Sequence, residues 1–277
     1  MGIEVKNLTK TYKVKKRSNA DQAAGGFGIR KYSLMTAVNN ISFTIPSGDI
    51  VGFIGANGAG KSTTIKMMTG ILTPDHGTIS IDGLNFKKNH KQIMLKIGVV
   101  FGQRSVLCWD IPVIESFKLL KDMYHIPEKA YRENMEIFSD ILNLSEFIDK
   151  PPRLLSLGQR MKADLAAALL HNPEILFLDE PTIGIDVLAK AKIRDFIRKI
   201  NQERNTTIIL TTHDLSDIEA LCSKMIIIDK GTLIYHGTLQ ELKNSYRNSD
   251  QVELYQDTTV ENNLETIIKN IYEGDFL

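Results

Sequence analysis

The run Gly55-Ala56-Asn57-Gly58-Ala59-Gly60-Lys61-Ser62 restricts the folding of this chain more than any other stretch. Its spacing is Gly, four residues, then Gly-Lys-Ser, and Thr63 follows. The apolar residues 50–54 before it read as a strand buried on both faces, and residues 61–70 read as a helix. A glycine-rich turn between such a strand and helix lets the backbone wrap closely around an anion, because no Cβ intrudes. Its N–H groups and the positive end of the helix dipole then face that anion. Lys61 is placed to reach the β- and γ-phosphates of a nucleotide, and the Ser62 hydroxyl is a hard oxygen suited to Mg2+. Gly55 to Thr63 are therefore the candidate phosphate-binding residues.

The flanking pattern predicts the layers around this loop. Ile3 and Val5, then Ile41, Phe43 and Ile45, alternate with polar neighbours, as half-buried strands do. Further strands are expected at 78–82, 97–101, 175–179, 206–212 and 225–229. Helices are expected at 187–203 and 215–222, with a mostly helical middle section at 114–124, 128–142 and 157–171. Alternating strand and helix predicts an α/β fold of the P-loop NTPase type. It has a mostly parallel sheet, an N-terminal antiparallel β region and an inserted helical subdomain over about 103–172. Residues 1–240 read as one nucleotide-binding domain, and the polar, less patterned 241–277 as a C-terminal extension.

Residues 13–36 read as a long loop or hairpin. They carry Gly25, Gly26 and Gly28, and six basic residues against Asp21. The six are Lys13, Lys15, Lys16, Arg17, Arg30 and Lys31, giving +5 where the whole chain has only +1. The segment reads either as a solvated surface hairpin or as one that leans on an anionic membrane surface or on the cytoplasmic ends of a membrane-embedded partner.

Composition narrows the function classes. The near-neutral balance gives no sign of bulk nucleic-acid binding, and no nucleic-acid partner is expected. The two cysteines, Cys108 and Cys222, are far apart, which argues against a disulfide framework or a zinc site. No run approaches the roughly 18 consecutive apolar residues of a membrane span, and the N-terminus has no apolar signal region. Work at a membrane would need another polypeptide to hold the chain there.

A second chemical feature is Ile175-Leu176-Phe177-Leu178-Asp179-Glu180, a core strand ending in two acids. Ligands of open α/β sheets bind at the carboxyl ends of the strands. Asp179 there would hold Mg2+, directly or through water, and Glu180 could polarise an attacking water.

Leu155-Ser156-Leu157-Gly158-Gln159 resembles the LSGGQ signature of the ABC transporter ATPases. Read alone, Ser156 and Gly158 also fit a helix N-cap and turn. The order of the other motifs supports the resemblance, which spans residues 1 to about 240. Gln103 is similar to the family's Q-loop glutamine, which implies a share in the Mg2+ site. Asp186 is similar to the D-loop aspartate, His213 to the switch histidine and Tyr12 to the aromatic on which adenine stacks. Leu157 departs from the family pattern, which usually has glycine there.

The resemblance implies ATP and Mg2+ as cofactors and hydrolysis of ATP to ADP and phosphate. It implies a head-to-tail pair of ATPase subunits, taken as identical copies. Each ATP would lie between the phosphate loop of one copy and Ser156, Leu157, Gly158 and Gln159 of the other. Glu180 would be the general base or water-orienting group, His213 would contact the γ-phosphate, Gln103 would sense the nucleotide, and Asp186 would lie at the dimer interface. A separate transmembrane permease would be the partner, with the chain peripheral on the cytoplasmic side of the cell membrane. The stretch from Phe101-Gly102-Gln103-Arg104 through Trp109-Asp110 to Glu115 resembles exporter subunits. An importer subunit, or a soluble ABC ATPase acting on nucleic acid, is the alternative. Trp109, the single tryptophan, reads either as a subdomain core residue or as an exposed rim for the permease.

Overall fold

A computed structural model describes residues 2–15, 32–102, 104–247 and 264–273. Two sheets organise them. Strands β1 (Gly2–Lys15) and β2 (Tyr32–Pro46) form an antiparallel hairpin, with Tyr12 opposite Met35. β4 (His76–Ile81) joins the other edge of β1, and the short β5 (Leu84–Asn85) joins β4, giving the order β2-β1-β4-β5. The hairpin strands therefore enter the 13–36 segment from both ends, and its central residues 16–31 lie outside the described residues.

The second sheet has the order β10-β9-β3-β8-β7-β6. Its members are β3 (Ile50–Gly55), β6 (Ile97–Phe101), β7 (Ile175–Asp179), β8 (Thr207–Thr211), β9 (Lys224–Asp229) and β10 (Thr232–Thr238). All neighbours pair in parallel except β10, which runs antiparallel to β9. The apolar runs are continuous because both faces are covered. Ile209 and Phe177 face one core, shared with Ile3, Val5, Phe43 and Phe53. Ile208, Leu210, Leu176 and Leu178 face a second core, shared with Phe138 and Phe196 of the helical layer. Strand β8 lies between β3 and β7, so the phosphate loop and the Asp179-Glu180 pair emerge one strand apart at the same edge.

Helix α1 (Lys61–Met68) follows the loop. The helical middle section is α3 (Val113–Met123), α4 (Glu128–Leu142) and α5 (Leu157–Leu169). Helices α6 (Val187–Arg204) and α7 (Leu215–Leu221) follow β7 and β8. Five of the strands and α-helices were not expected from the sequence: β5, α2 (Phe86–Lys96), β10, α8 (Leu239–Arg247) and α9 (Leu264–Glu273). Residues 241–277 are not featureless. Leu264, Ile267, Ile268 and Ile271 recur at the spacing of one helical stripe, and all are buried where α9 packs on α7. Asn270 Nδ2 donates to Tyr246 Oη at 2.6 Å and ties α9 to α8.

Candidate active site

The phosphate loop borders a cleft of ≈560 Å3 at the carboxyl edge of the parallel strands. Gly58 and Gly60 have φ of 83° and 106°, a region that favours glycine. At Gly60 a Cβ would also lie 2.4 Å from the Ala37 carbonyl oxygen, so this position excludes every larger residue. Ala56, Asn57, Gly58, Gly60, Lys61, Ser62 and Thr63 line the cleft. Gly55 and Ala59 shape it from behind: Gly55 ends β3, and the buried Ala59 donates its N–H to the Ala56 carbonyl at 3.0 Å. Lys61 donates to the carbonyl oxygens of Gly55 and Ala56. Burial lowers its pKa, and the Glu180 and Asp179 carboxylates pull in the opposite direction.

The two acids complete the same cleft. Thr211, on the neighbouring strand β8, donates its hydroxyl to Asp179 Oδ1. The chain then turns sharply at Glu180, which has φ of 56°. For a non-glycine residue that left-handed conformation costs roughly 1–2 kcal/mol. The Glu180 N–H is held at 3.0 Å by the Thr211 carbonyl and at 3.2 Å by its hydroxyl, which offsets that cost and aims the side chain. His213 reaches the carboxylate twice. Its N–H donates to Oε2 at 3.3 Å, and its Nε2 lies 3.1 Å from Oε1. The second contact is within ion-pair distance but is not aligned as a hydrogen bond, so the buried Oε1 has no hydrogen-bond donor. Burial is the main cause that raises the Glu180 pKa above the usual carboxylate value. The His213 ring and N–H and the Lys61 ammonium oppose the rise, and Asp179 adds to it.

Tyr12 also lines the cleft, together with Met35, its cross-strand partner, and Ile71. Sequence reading did not single out Met35, Ile71 or Arg104, which also line the cleft. Met35 becomes visible only through hairpin register. Gln103 lies outside the described residues; its neighbours Gly102 and Arg104 border the cleft.

The signature residues and Asp186 do not join this cleft. Ser156 caps α5 through a capping box: its Oγ accepts from Gln159 N–H at 3.2 Å, and Gln159 Oε1 accepts from Ser156 N–H at 3.0 Å. Asp186 caps α6 by accepting from Ala189 N–H at 2.9 Å. These two helix starts lie side by side. A Cβ on Gly158 would come within 3.6 Å of Ala189 Cβ, and one on Gly184 would lie 2.9 Å from Leu157 Cδ2. Leu157 therefore rests against a glycine that leaves it room. The surface beside them is apolar and open: Val187 is 81 % and Leu188 78 % exposed. Large exposed apolar side chains grouped in this way mark an association surface.

Comparisons with known proteins agree on one family. The family described as ABC transporter matches residues 38–183. The chain is 32 % identical to the ABC transporter ATP-binding protein NatA of Bacillus subtilis, over 79 % of this chain and 89 % of that protein. It is 35 % identical to the bacitracin transport ATP-binding protein BcrA of Bacillus licheniformis, over 79 % of this chain and 70 % of the relative. It is 32 % identical to the methionine import ATP-binding protein MetN 2 of Enterococcus faecalis, over 76 % and 62 % respectively. Among solved structures, a dimeric ATP-binding cassette in a post-hydrolysis state bound to ADP and Pi matches with a TM-score of 0.71 and 26 % identity. That match covers 86 % of this chain and 98 % of the other.

Proposed function

This chain belongs to the ABC transporter family as an ATP-binding subunit that hydrolyses ATP, and on that premise we propose that it powers export through a separate transmembrane permease. The observation that carries the site assignment is the convergence of Lys61, Asp179, Glu180 and His213 on one cleft, with Ser156 and Asp186 outside it. A cleft lacking its signature residues within one chain supports a head-to-tail dimer, in which a second copy brings Ser156 to Gln159 to the γ-phosphate. The apolar surface at Val187 and Leu188 supports the same association.

In this reading Lys61 and the loop N–H groups bind the β- and γ-phosphates, and Tyr12 stacks on adenine. Glu180 takes the proton of the attacking water at Oε1, the buried oxygen without a donor. Its raised pKa brings its basicity closer to neutral pH, where a general base is most effective. His213 holds the carboxylate and contacts the γ-phosphate. Ser62 and Asp179 supply a hydroxyl and a carboxylate to the cleft, a hard-oxygen set that fits Mg2+, with Gln103 as a third ligand. Bound there, Mg2+ would neutralise charge on the phosphate oxygens.

Residues 1–240 serve as the nucleotide-binding domain, with the helical subdomain over about 103–172. Among the described residues no helix is long and apolar enough to cross a membrane, and a peripheral position against the permease on the cytoplasmic side accords with that. Export is favoured by the stretch from Phe101 to Glu115 and by a 34 % identical relative from Ralstonia nicotianae named a Nod factor export ATP-binding protein. The methionine import relative is the observation that favours import. Identifying the permease that copurifies from the native membrane decides between them. The catalytic reading is tested with Glu180→Gln. ATP binding should persist, hydrolysis should fall about 10²-fold or more, and an ATP-bound dimer should accumulate. Hydrolysis at the wild-type rate would remove Glu180 from the mechanism.

A further inference from the structure

Asp217 lies four residues beyond His213, is completely buried, and takes no part in the mechanism above. Both of its oxygens are engaged by side chains of the protein. Oδ1 accepts from Arg194 Nε at 2.5 Å and is ion-paired with the same guanidinium, whose Nη2 donates to Ser216 Oγ at 2.7 Å. Oδ2 accepts from the hydroxyl of Thr182 and, at 3.2 Å, from that of Thr212. Three hydrogen bonds and an ion pair thus hold this carboxylate from inside the protein.

The donors come from three separate places. Thr182 is two residues past Glu180, within the turn that the Ile183 N–H to Glu180 carbonyl bond closes. Thr212 directly precedes His213, and its hydroxyl also accepts from Asp214 N–H at 3.0 Å. Arg194 belongs to α6, the helix that Asp186 caps. A parallel tie runs beside it: Lys190 of α6 donates to Asp214 Oδ2 at 2.7 Å, which with Ser216 holds the Asp214 carboxyl down to about 2. No member of this network belongs to the phosphate loop or to the Tyr12 hairpin.

We infer that Asp217 is a positioning residue: through Thr182 and Thr212 it fixes the Glu180 turn and the His213 turn relative to each other and to α6. The inference rests on the reading of Glu180 and His213 given above. A buried carboxylate held by an arginine and two hydroxyls specifies one arrangement, because any other leaves a charge or a hydroxyl unpaired. Glu180 sits on a left-handed backbone and touches His213 through one bond of 3.3 Å and one unaligned contact. The two threonine bonds to Asp217 are buried, whereas the His213 N–H bond to Glu180 is exposed, so the buried pair constrains the exposed contact. A misplacement of about 1 Å at a reacting group can cost 10²-fold in rate.

The test is steady-state ATPase of the full chain with Thr182→Val, Thr212→Val and Asp217→Asn, and with Thr182→Ser and Thr212→Ser as conservative controls. Valine keeps the shape and deletes the donor, whereas serine keeps the donor. Each valine variant should lower kcat about 10- to 100-fold, with KM for ATP changed less than about 3-fold, since the phosphate loop is untouched. The serine variants should retain at least about half of kcat. If Asp217→Asn fails to fold, the threonine series still decides the matter. Valine variants with wild-type kcat, or with raised KM and unchanged kcat, overturn the inference, as do serine variants no better than valine. Glu180→Gln assayed alongside separates the two failures. An inactive Glu180→Gln protein with active valine variants overturns the role of Asp217 alone, and an active Glu180→Gln protein overturns both readings.

Discussion

Asp164 offers a stability prediction whose magnitude comes from the structure. It lies on α5, two turns beyond Ser156, and is only 6 % exposed. Its Oδ1 accepts from Ser105 Oγ at 2.7 Å and from Val106 N–H at 3.2 Å, pinning the loop after Gln103 to the signature helix. Burial dominates these bonds and the nearby Arg160 charge, pushing the carboxyl from its ordinary 3.8 up to about 6. The folded state then holds this proton more tightly than the unfolded chain does. Stability must therefore fall as pH rises from the unfolded pKa through the folded one, and the full cost is present above it. That cost is about 3 kcal/mol, of which about 2 kcal/mol develops between pH 4 and pH 7. Asp164→Asn keeps an acceptor for Ser105 and Val106 and cannot ionise. The difference in unfolding free energy between variant and wild type should shift in the variant's favour by about 2 kcal/mol from pH 4 to pH 7. Urea unfolding at several pH values, followed by the fluorescence of Trp109 three residues past Val106, measures it. Curves for the two proteins that stay parallel across this range would refute the argument that burial controls Asp164.

Two further outcomes concern surfaces. Ser156→Arg puts a bulky cation at the start of α5; nucleotide binding to the monomer should survive. ATP-driven dimerisation in a Glu180→Gln background should fail by light scattering, and a normal dimer would sink the head-to-tail arrangement. Trp109, open in the sequence between core and rim, is 51 % exposed with the Arg160 guanidinium 4.7 Å from its ring centroid. Exposed aromatic anchors often contribute 2 kcal/mol or more to an interface. Trp109→Ala should therefore spare the ATPase of the isolated subunit and weaken copurification with the permease; unchanged copurification would reject that anchor.

The parts legible in the sequence are those whose chemistry is local. A phosphate loop announces itself because glycines, lysine and serine must be adjacent to wrap one anion. Asp179-Glu180 is legible because a strand must be apolar until it leaves the core. The core strands that surround the loop follow from the same burial rule, since both sheet faces are covered. Residues 264–271 carried a helical apolar stripe, but a stripe within a polar tail does not say what it packs against. Only the fold sets α9 against α7, the short helix that follows His213. Met35 entered the cleft through a hairpin register that no local pattern specifies. Asp217 is the clearest case. In the sequence it is one acid among thirty-three, on a short helix after His213. Its significance lies in three donors that stand 5, 23 and 35 positions away along the chain. Adjacent chemistry is written in order along the sequence. A buried charge is defined by whatever surrounds it, and those neighbours exist only once the strands and helices have packed.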